Sequence, residues 1–380
     1  MAMTDPACSL EMYVFGGTQG ESIVLRLPGL GWGVVDCYAS TVADSADNAV
    51  LRFLSDQGVG ELEFLCLTHP HDDHFRGMSQ LLEQLHVRSF WRPSAMSTKR
   101  LKWILQLALV DAKRSGYGEA IENADELERI FTLVKERGRR RHEPLIPKVA
   151  ALGTQLYPMP VNPEAHFQIW AIAPSGRQTE HYEQGIRRCF DDNRRVKDRL
   201  PHGCHNEISL ALLVVFGKTR IILGGDVEQQ SWLDTLTEFD RRKLSGVCVK
   251  VSHHGSTNGY CPGLWEAFAA EKMPVAVVTP FQRHQLPRHD ALEYISKFAA
   301  EIVTPYLSAI CPQELPIPLS VKAPVASRRA LRNTFQARTR TRQVRMGYCH
   351  FTFDDQGTCM VNDLRPPAGS VSAVGFIFRR

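Results

Sequence analysis

The stretch that decides the fold of this chain is Thr68-His69-Pro70-His71-Asp72-Asp73-His74, which follows directly on an apolar run over residues 62–67. The apolar run predicts a buried strand. Past its end, the spacing His-x-His-x-Asp-His brings four potential metal ligands into six residues. Imidazoles and carboxylates are ligands that a borderline ion such as Zn²⁺ prefers, and two such ions form a hydrolytic site. The stretch therefore predicts half of a two-metal site; a histidine-rich surface loop is the alternative.

Two further strands end in residues that would complete such a site. Residues 221–226 are an apolar run closed by two glycines and Asp226, and the glycines allow a close backbone approach. A carboxylate at that point could bridge two metal ions. Residues 247–256 repeat the arrangement, since an alternating strand stops at His253 and His254. One of these two histidines is predicted to complete the second metal site, and the sequence does not decide which.

Taken together and in this order, the motifs resemble those of metallo-β-lactamase-fold hydrolases. The His-His-Gly-Ser ending at 253–256, with residues 17–22, Asp36 and residues 206–210, is similar to the metallo-β-lactamase domain of bacterial DNA-uptake competence proteins. The resemblance covers residues 11–280, with gaps at insertions. It implies an α/β (α+β) protein with an αββα sandwich, in which the metal ions lie at one edge of two sheets.

The chain departs from the family pattern at the third ligand of the first metal ion. Most members carry a histidine there, within a Gly-His-Thr-type motif. His205 is chemically the better ligand, Asn206 is the better motif match, and Cys204 is a more distant possibility as a thiolate. The predicted ligand set is otherwise His69 and His71 for one ion, Asp73, His74 and either His253 or His254 for the other, and Asp226 as the bridge.

Other roles follow from the same resemblance. Asp36 is similar to the family's aspartate that braces the metal loop by hydrogen bonds, and a simple turn residue is the alternative. The candidate catalytic residues are Asp73, His253 and His254; whichever histidine is not a ligand could protonate the leaving group. Lys250 is a weaker candidate for a phosphate contact. The predicted cofactors are two divalent metal ions, zinc first, with manganese or iron as alternatives.

The sequence divides into a hydrolase domain over residues 1–305 and a basic linker with a small C-terminal β extension over 306–380. Within the first part, helical patterns over 97–141 are an insertion that either roofs the active site or contacts a partner. Residues 174–204 carry little strand or helix signal and are interpreted as an active-site loop.

One segment is strongly polarised in charge. Residues 321–346 contain eight lysines and arginines and no acidic residue. Arg338, Arg340 and Arg342 are therefore candidates for contacts with a nucleic-acid backbone. A flexible, solvated linker is an equally weighted alternative.

Composition is typical of a soluble enzyme. The chain has 380 residues, of which 43% are hydrophobic and 23% are charged, which suffices for a large core. A net charge of +4 identifies no partner. The ten cysteines include no Cys-x-x-Cys pair, which favours reduced thiols in a cytoplasmic protein. No apolar run approaches membrane-spanning length, so we expect neither export nor a membrane partner.

The predicted function is a dinuclear metallohydrolase, a phosphodiesterase or nuclease acting on nucleic acid through a hydroxide held by the metal ions. One alternative is a hydrolase of a small ester, lactone or cyclic nucleotide. A narrow pocket roofed by the helices of 97–137 would support it, and an open basic groove would oppose it. Another alternative is a partner subunit of a stress or phage-defence assembly, so protein partners stay open.

Overall fold

In the part of the chain that the structure describes, two mixed sheets of eight strands each form the centre of the protein. The computed structural model describes residues 9–42, 45–158, 160, 162, 164–201, 203–307 and 346–371. In chain order the strands are β1 (Leu10–Gly16), β2 (Glu21–Leu27), β3 (Gly31–Val35), β4 (Glu61–Leu62), β5 (Phe64–Cys66), β6 (His86–Val87), β7 (Ser89–Pro93), β8 (Ile146–Ala150), β9 (Gln155–Tyr157), β10 (Phe167–Ala173), β11 (Ala211–Phe216), β12 (Thr219–Leu223), β13 (Cys248–Lys250), β14 (Val275–Val277), β15 (Glu301–Thr304), β16 (Gly347–Phe353), β17 (Cys359–Arg365) and β18 (Gly369–Ser370).

The α-helices cover the outer faces of the two sheets. They are α1 (Ala49–Asp56), α2 (Asp72–Phe75), α3 (Met78–Gln84), α4 (Thr98–Ser115), α5 (Gly118–Arg137), α6 (Gly176–Arg188), α7 (Gln229–Glu238), α8 (Leu264–Phe268) and α9 (His289–Ile295). Short 3₁₀ helices span 45–47, 94–96, 204–208, 241–244, 252–255, 257–259 and 282–284. Among the helices that the structure describes, none is long and apolar enough to cross a membrane.

The first sheet has the order β17-β16-β1-β2-β3-β5-β7-β8, and the second has the order β18-β15-β14-β13-β12-β11-β10-β9; β4 and β6 pair separately. Apolar residues of both sheets pack against each other in one buried layer, which includes Val14, Leu25, Leu212 and Leu223. A second cluster lies between the first sheet and helices α1, α3, α4 and α5, and a third between the second sheet and helices α7, α8 and α9. The predicted αββα sandwich is confirmed.

The parallel strands determine where the functional loops lie. In the first sheet β3, β5, β7 and β8 run parallel, and in the second β12, β13, β14 and β15 do. Carboxyl ends of parallel neighbours meet at one edge of a sheet, where ligands commonly bind. The His-x-His-x-Asp-His loop follows β5, Asp226 follows β12 and the histidine pair follows β13. Parallel pairing therefore places Asp226 and the histidine pair at one edge of the second sheet, and the packing of the two sheets brings the loop after β5 beside them.

Two regions differ from, or extend, the sequence-based expectation. The interpretation of 174–204 as a loop is wrong for its first part, because α6 occupies 176–188. The side chain of its N-cap, Ser175, accepts a hydrogen bond from the Gln178 backbone. The buried face of α6 includes the polar Gln178 and Thr179, so the apolar periodicity is too short to reveal a helix. Helices α4 and α5 lie within residues 97–141, where helical patterns were predicted.

The C-terminal strands complete the two sheets. Strand β16 pairs with β1 and β18 pairs with β15, both antiparallel. Residues 308–345 and 372–380 lie outside the described residues, so the structure does not address the contacts predicted for Arg338, Arg340 and Arg342 or the end of the predicted C-terminal β extension.

Candidate metal centre

The glycines before Asp226 allow two loops to touch. A Cβ on Gly224 would lie 2.4 Å from the Ser252 hydroxyl oxygen, and a Cβ on Gly225 would lie 2.5 Å from the Leu210 carbonyl oxygen. Gly225 also has a φ of +50°. Since a side chain at either position would displace neighbouring atoms, the glycines are what lets β12 deliver Asp226 against the loop after β13.

The first donor group comprises His69, His71 and Asp226. Their potential ligand atoms all lie within 4.8 Å of one another. His69 Nε2 lies 3.0 Å from His71 Nδ1 and 3.8 Å from Asp226 Oδ2. His69 and Asp226 are buried, whereas His71 is partly exposed. Two imidazoles and one carboxylate oxygen thus converge on one point.

The second donor group comprises His74, Asp226 and His254, and two further carboxylates, Glu21 and Asp73, lie beside them. His74 Nε2 lies 3.5 Å from Asp73 Oδ2 and 3.4 Å from Asp226 Oδ1. His254 Nε2 lies 3.0 Å from Asp73 Oδ2 and 3.7 Å from Asp226 Oδ1. Asp226 therefore faces the first group with one oxygen and the second group with the other, which is the arrangement of a bridging carboxylate.

Orphaned polar atoms test whether a cation fits between these side chains. His74 Nε2 and Asp226 Oδ1 are both buried without a hydrogen-bond partner. Buried polar atoms are rarely left unsatisfied, and bound metal ions are one of the ways in which they are satisfied. The donor set of imidazoles and carboxylates suits Zn²⁺ and similar ions. The residues present therefore fit the predicted pair of divalent ions.

The electrostatics of the centre favour neutral histidines on one side and anionic carboxylates on the other. Burial lowers the pKa of His69 well below its usual value and that of His71 to about 4. Burial would raise the pKa of Asp226, but the neighbouring His74, His254 and His253 outweigh burial and hold this pKa well below the usual range. Neutral imidazole and ionised carboxylate are the forms that bind metal.

The pKa of His74 shows that the carboxylates around this ring favour a positive charge at its position. Burial opposes protonation of this ring, yet the carboxylates of Asp73, Asp226 and Asp36 raise its pKa well above the usual value. Three buried carboxylates around one imidazole need a cation, whether a proton or a metal ion.

Asp36 lies where the bracing residue was predicted. Its Oδ1 accepts a hydrogen bond from the Thr68 backbone (2.8 Å), and its Oδ2 accepts one from the Thr68 hydroxyl (2.7 Å). Oδ2 also lies 2.7 Å from His74 Nδ1. A carboxylate on Nδ1 orients the imidazole so that Nε2 points into the second donor group.

His254 has a comparable support that sequence reasoning missed. Its Nδ1 lies 3.0 Å from the Thr279 hydroxyl oxygen and 3.6 Å from Glu21 Oε2. Thr279 donates to Glu21 Oε2 (2.7 Å), and Lys250 Nζ lies 2.5 Å from the same oxygen. Glu21 is within range of the second donor group, but it faces Nδ1 of His254 and is already paired, so Asp73 is the better ligand candidate. The only sequence signal for Glu21 was its place in the motif at residues 17–22.

The interpretation of Lys250 as a phosphate contact is wrong. Its side chain is fully buried, forms the ion pair with Glu21 and donates to the Val251 carbonyl at 2.8 Å. A lysine so enclosed cannot reach a substrate.

The structure separates the two adjacent histidines. Both have positive φ, 47° for His253 and 52° for His254, so the chain turns sharply, and the two Nε2 atoms face different oxygens of Asp226. His254 enters the second donor group, whereas His253 is 18% exposed with Nε2 at 3.9 Å from Asp226 Oδ2. Nδ1 of His253 lies 3.4 Å from Glu228 Oε1. Sequence reasoning did not single out Glu228, and its position two residues after Asp226 was the only signal.

The candidates for the third ligand of the first ion lie next to the donor groups rather than in them. The His205 ring centroid is 5.3 Å from that of His71, and His205 Nδ1 lies 2.7 Å from the Tyr182 hydroxyl. Asn206 Nδ2 donates to Glu228 Oε1 at 2.9 Å and lies 3.4 Å from His253 Nε2. Burial raises the pKa of Cys204 to about 11, which opposes a thiolate. The described residues leave His205 and Asn206 both adjacent to the first group.

A cavity of about 980 Å³ opens onto the centre. Ligand candidates form its floor, and α4 and α5 form one wall that includes Ala112, Ala124 and Leu127. The arginines of the lining are Arg199, Arg283 and Arg288. An apolar wall, guanidinium groups and the two donor groups thus line the same cavity.

Comparison with known proteins gives structural likeness only. No protein-family model matches the chain, and no curated protein matches it by sequence. The chain is similar to the solved structure of Igni18, a metallo hydrolase from the archaeon Ignicoccus hospitalis (10% identity, TM-score 0.37, covering 77% of this chain and 93% of that one). It is also similar to Zn²⁺-bound PqqB from Methylobacterium extorquens (10%, 0.31, 63% and 71%) and to a mutant metallo-β-lactamase from Cronobacter sakazakii (12%, 0.32, 87% and 96%). The chemistry of the site is therefore inferred from its own residues.

Proposed function

We propose that this chain is a metal-dependent hydrolase that cleaves a phosphodiester with two divalent ions sharing Asp226. The observation that carries the proposal is the convergence of two donor groups on the two oxygens of one buried carboxylate, with unsatisfied atoms between them. In this assignment His69 and His71 hold one ion, and Asp73, His74 and His254 hold the other.

When bound, such a pair of ions activates a water molecule and neutralises charge that develops on the substrate oxygens. The protein's own part is to fix the ligands. Asp36 orients His74 and Thr279 orients His254 through short contacts to Nδ1, so both rings present Nε2 without rearrangement. Zinc suits this donor set best, with manganese or iron as alternatives.

His253 is the proposed proton donor to the leaving group. It lines the cavity, it stands outside both donor groups, and Glu228 contacts its Nδ1. Nε2 is then directed toward Asp226 and the cavity, where it can transfer a proton to a departing oxygen. Asn206 and Asn258 each donate to the same Glu228 oxygen at 2.9 Å, so this carboxylate is held beside the His253 ring.

The arginines of the cavity support a phosphate-containing substrate. Arg283 and Arg288 belong to the loop beside His254 and are exposed to solvent, so their guanidinium groups can meet a phosphate oxygen. Arg199 lies across the cavity and pairs with Asp111 of α4 at 3.2 Å. A neutral ester or lactone would leave these charges without a role.

Two classes of phosphodiester substrate are candidates: a nucleic-acid chain, and a small phosphodiester such as a cyclic nucleotide. The wall formed by α4 and α5 favours the small phosphodiester. The cavity volume lies at the upper end of the roughly 300–1,000 Å³ found for small-molecule sites. A long nucleic acid would need the arginines at 338–342, which stay a prediction from sequence. A vestigial site in a partner subunit is disfavoured, because such a site would not need to keep both donor groups.

Elemental analysis followed by a substrate panel tests the proposal. Protein purified without chelators is expected to carry up to two transition-metal ions and to hydrolyse bis(p-nitrophenyl) phosphate. Hydrolysis is then compared between cyclic dinucleotides, as small substrates, and single- and double-stranded DNA and RNA, as large ones. Protein that carries no transition metal and gains no activity with Zn²⁺ or Mn²⁺ would contradict the proposal.

A further inference from the structure

The turn that follows the metal ligands is held by α5, an element of the helical insertion. Glu126 of α5 is only 4% exposed. Its Oε1 accepts hydrogen bonds from the backbone N–H groups of Gly77 (3.0 Å) and Ser79 (3.1 Å), and its Oε2 accepts one from the Ser79 hydroxyl (2.6 Å). One buried carboxylate thus satisfies three donors of a segment 47 to 49 residues earlier in the chain.

Helix α3 needs this carboxylate because it has no cap of its own. Its N-cap is Gly77, at a φ of +89°, which offers no side chain to the first N–H groups. A Cβ at that position would lie 2.9 Å from Asn48 Nδ2, so a capping side chain could not replace the glycine without moving its neighbours. A carboxylate from another helix supplies the missing acceptor, and its charge is favourable at a helix N-terminus.

Two more residues of α5 contact the same segment. Asn123 Nδ2 donates to Asp72 Oδ2 at 2.9 Å, and Arg76 Nη1 donates to Glu119 Oε1 at 3.1 Å. Glu119, Asn123 and Glu126 are spaced four and three residues apart, so they share one face of α5. This face contacts the chain immediately before and immediately after Asp73 and His74.

We propose that Glu126 is a positioning residue for Asp73 and His74. These two ligands occupy the single-turn helix α2, which Asp36 and the Cys37 backbone also contact at His74. Helix α5 adds contacts to the chain on either side of α2, through Asp72 before it and Gly77 with Ser79 after it. Because α2 is too short to be stable alone, its orientation depends on these contacts. The inference rests on the proposed function in that the second donor group must bind a metal ion.

The same helix also contributes to the substrate cavity. Ala120 and Ala124 of α5 line the cavity, next to the face that holds the metal loop. The helical insertion is therefore part of the metal centre as well as a wall of the cavity.

Zinc affinity of Glu126 variants tests the inference. Zn²⁺ binding to the metal-free full-length protein is measured by competition with a chromophoric chelator, beside the thermal unfolding midpoint of the same metal-free protein. Glu126→Ala is expected to weaken Zn²⁺ binding at one of two sites by about 10–100-fold, the size found for residues that orient metal ligands. Glu126→Gln, which keeps one acceptor oxygen, should lose less. Glu128→Ala, on the exposed face of α5, is the matched control and should bind like the wild type.

The outcomes separate positioning from a structural role. A lower unfolding midpoint of Glu126→Ala with unchanged Zn²⁺ affinity would show that the carboxylate only caps α3, and would overturn the inference. If that variant does not fold, Ser79→Ala removes the 2.6 Å contact alone and should weaken binding by about 2- to 10-fold; unchanged affinity would again overturn it. If the wild-type protein binds no metal, the proposed function is refuted as well. If the wild type binds metal and the variants bind it equally well, only this inference is refuted.

Discussion

The two donor groups differ in how completely the surrounding protein supports them. In the second group, Asp36 contacts His74 at 2.7 Å and Thr279 contacts His254 at 3.0 Å, and both rings are buried. In the first group, the Thr68 hydroxyl lies 3.1 Å from His69 Nδ1, but His71 is partly exposed. The third ligand candidates of the first group lie beside it rather than in it.

This difference has a consequence for metal binding. Oriented ligands lose less conformational freedom when an ion binds, so they bind it more tightly. We therefore expect the second donor group to hold its ion more strongly than the first. Substitutions of Asp226, of the histidine pair and of Thr279 test that comparison in descending order of expected effect, and a substitution of Glu11 should change stability while leaving both donor groups unaffected.

Asp226→Ala should weaken metal binding at both donor groups, because each group loses a carboxylate oxygen. Bound metal should fall at both sites and hydrolysis should fall by more than about 10²-fold, beyond the loss typical of residues that only orient ligands. Elemental analysis and turnover measure the two effects. Asp240→Ala, which removes an exposed carboxylate paired with Arg242, is the control. Retention of two ions by Asp226→Ala would rule out the bridge.

The histidine pair separates ligand from proton donor. His254→Ala should lower the metal content of the second group together with turnover, since the ring faces Asp73 and Asp226. His253→Ala should lower turnover by about 10²–10⁴-fold at unchanged metal content, which is the size of a lost general acid. Equal metal content and equal activity in both variants would contradict both assignments.

Thr279→Val tests the support behind the second group. The substitution keeps the shape of the side chain and removes the hydroxyl between His254 and Glu21. We expect affinity for the tighter ion to fall by about 10–100-fold while the weaker ion is unaffected. Thr304→Val is a matched control, because Thr304 is a buried threonine of β15 whose hydroxyl accepts a hydrogen bond from the Tyr306 backbone. If Thr279→Val lowered the affinity only for the more weakly bound ion, the second donor group would be the weaker site, contrary to our expectation.

Glu11→Gln should alter stability without altering metal binding. Glu11 lies on β1, where His350, and less strongly Tyr13 and Arg26, outweigh burial and lower its pKa to about 2. A depressed carboxylate pKa contributes stability that is present above the unfolded value near 4.5 and is lost as the pH falls toward 2. The free energy of unfolding should drop by on the order of 1–3 kcal/mol at pH 7. Denaturant titrations at several pH values should show that the difference from wild type shrinks below pH 4.5; a constant difference would refute the linkage.

The fold class and most of the donor candidates were predictable from sequence. Three short motifs each follow an apolar strand. In each motif the ligand candidates come directly after the strand in the sequence, as His69 to His74 do. Asp36 was also located in advance, because it ends a strand within the same pattern. These features need only neighbouring residues to be recognised.

Helix α6 and the supporting residues Glu21, Thr279 and Glu126 were not predictable in this way. The buried face of α6 is partly polar, so its periodicity was weak. Glu21 reaches Lys250 and Thr279 across more than 200 residues of chain, and Glu126 reaches back to Ser79; no sequence spacing encodes such contacts.

Sequence alone therefore determined that this protein carries a clustered set of imidazoles and carboxylates at strand ends, since strand periodicity and ligand spacing are local properties. The αββα sandwich was an expectation from the resemblance of these motifs to a known family. Only the tertiary structure decided that His254 rather than His253 enters the second donor group, because that choice depends on the positive φ angles of the turn and on Thr279 behind the ring. It also decided that α5 holds the metal loop, because a buried carboxylate finds its partners through packing, not through position in the chain.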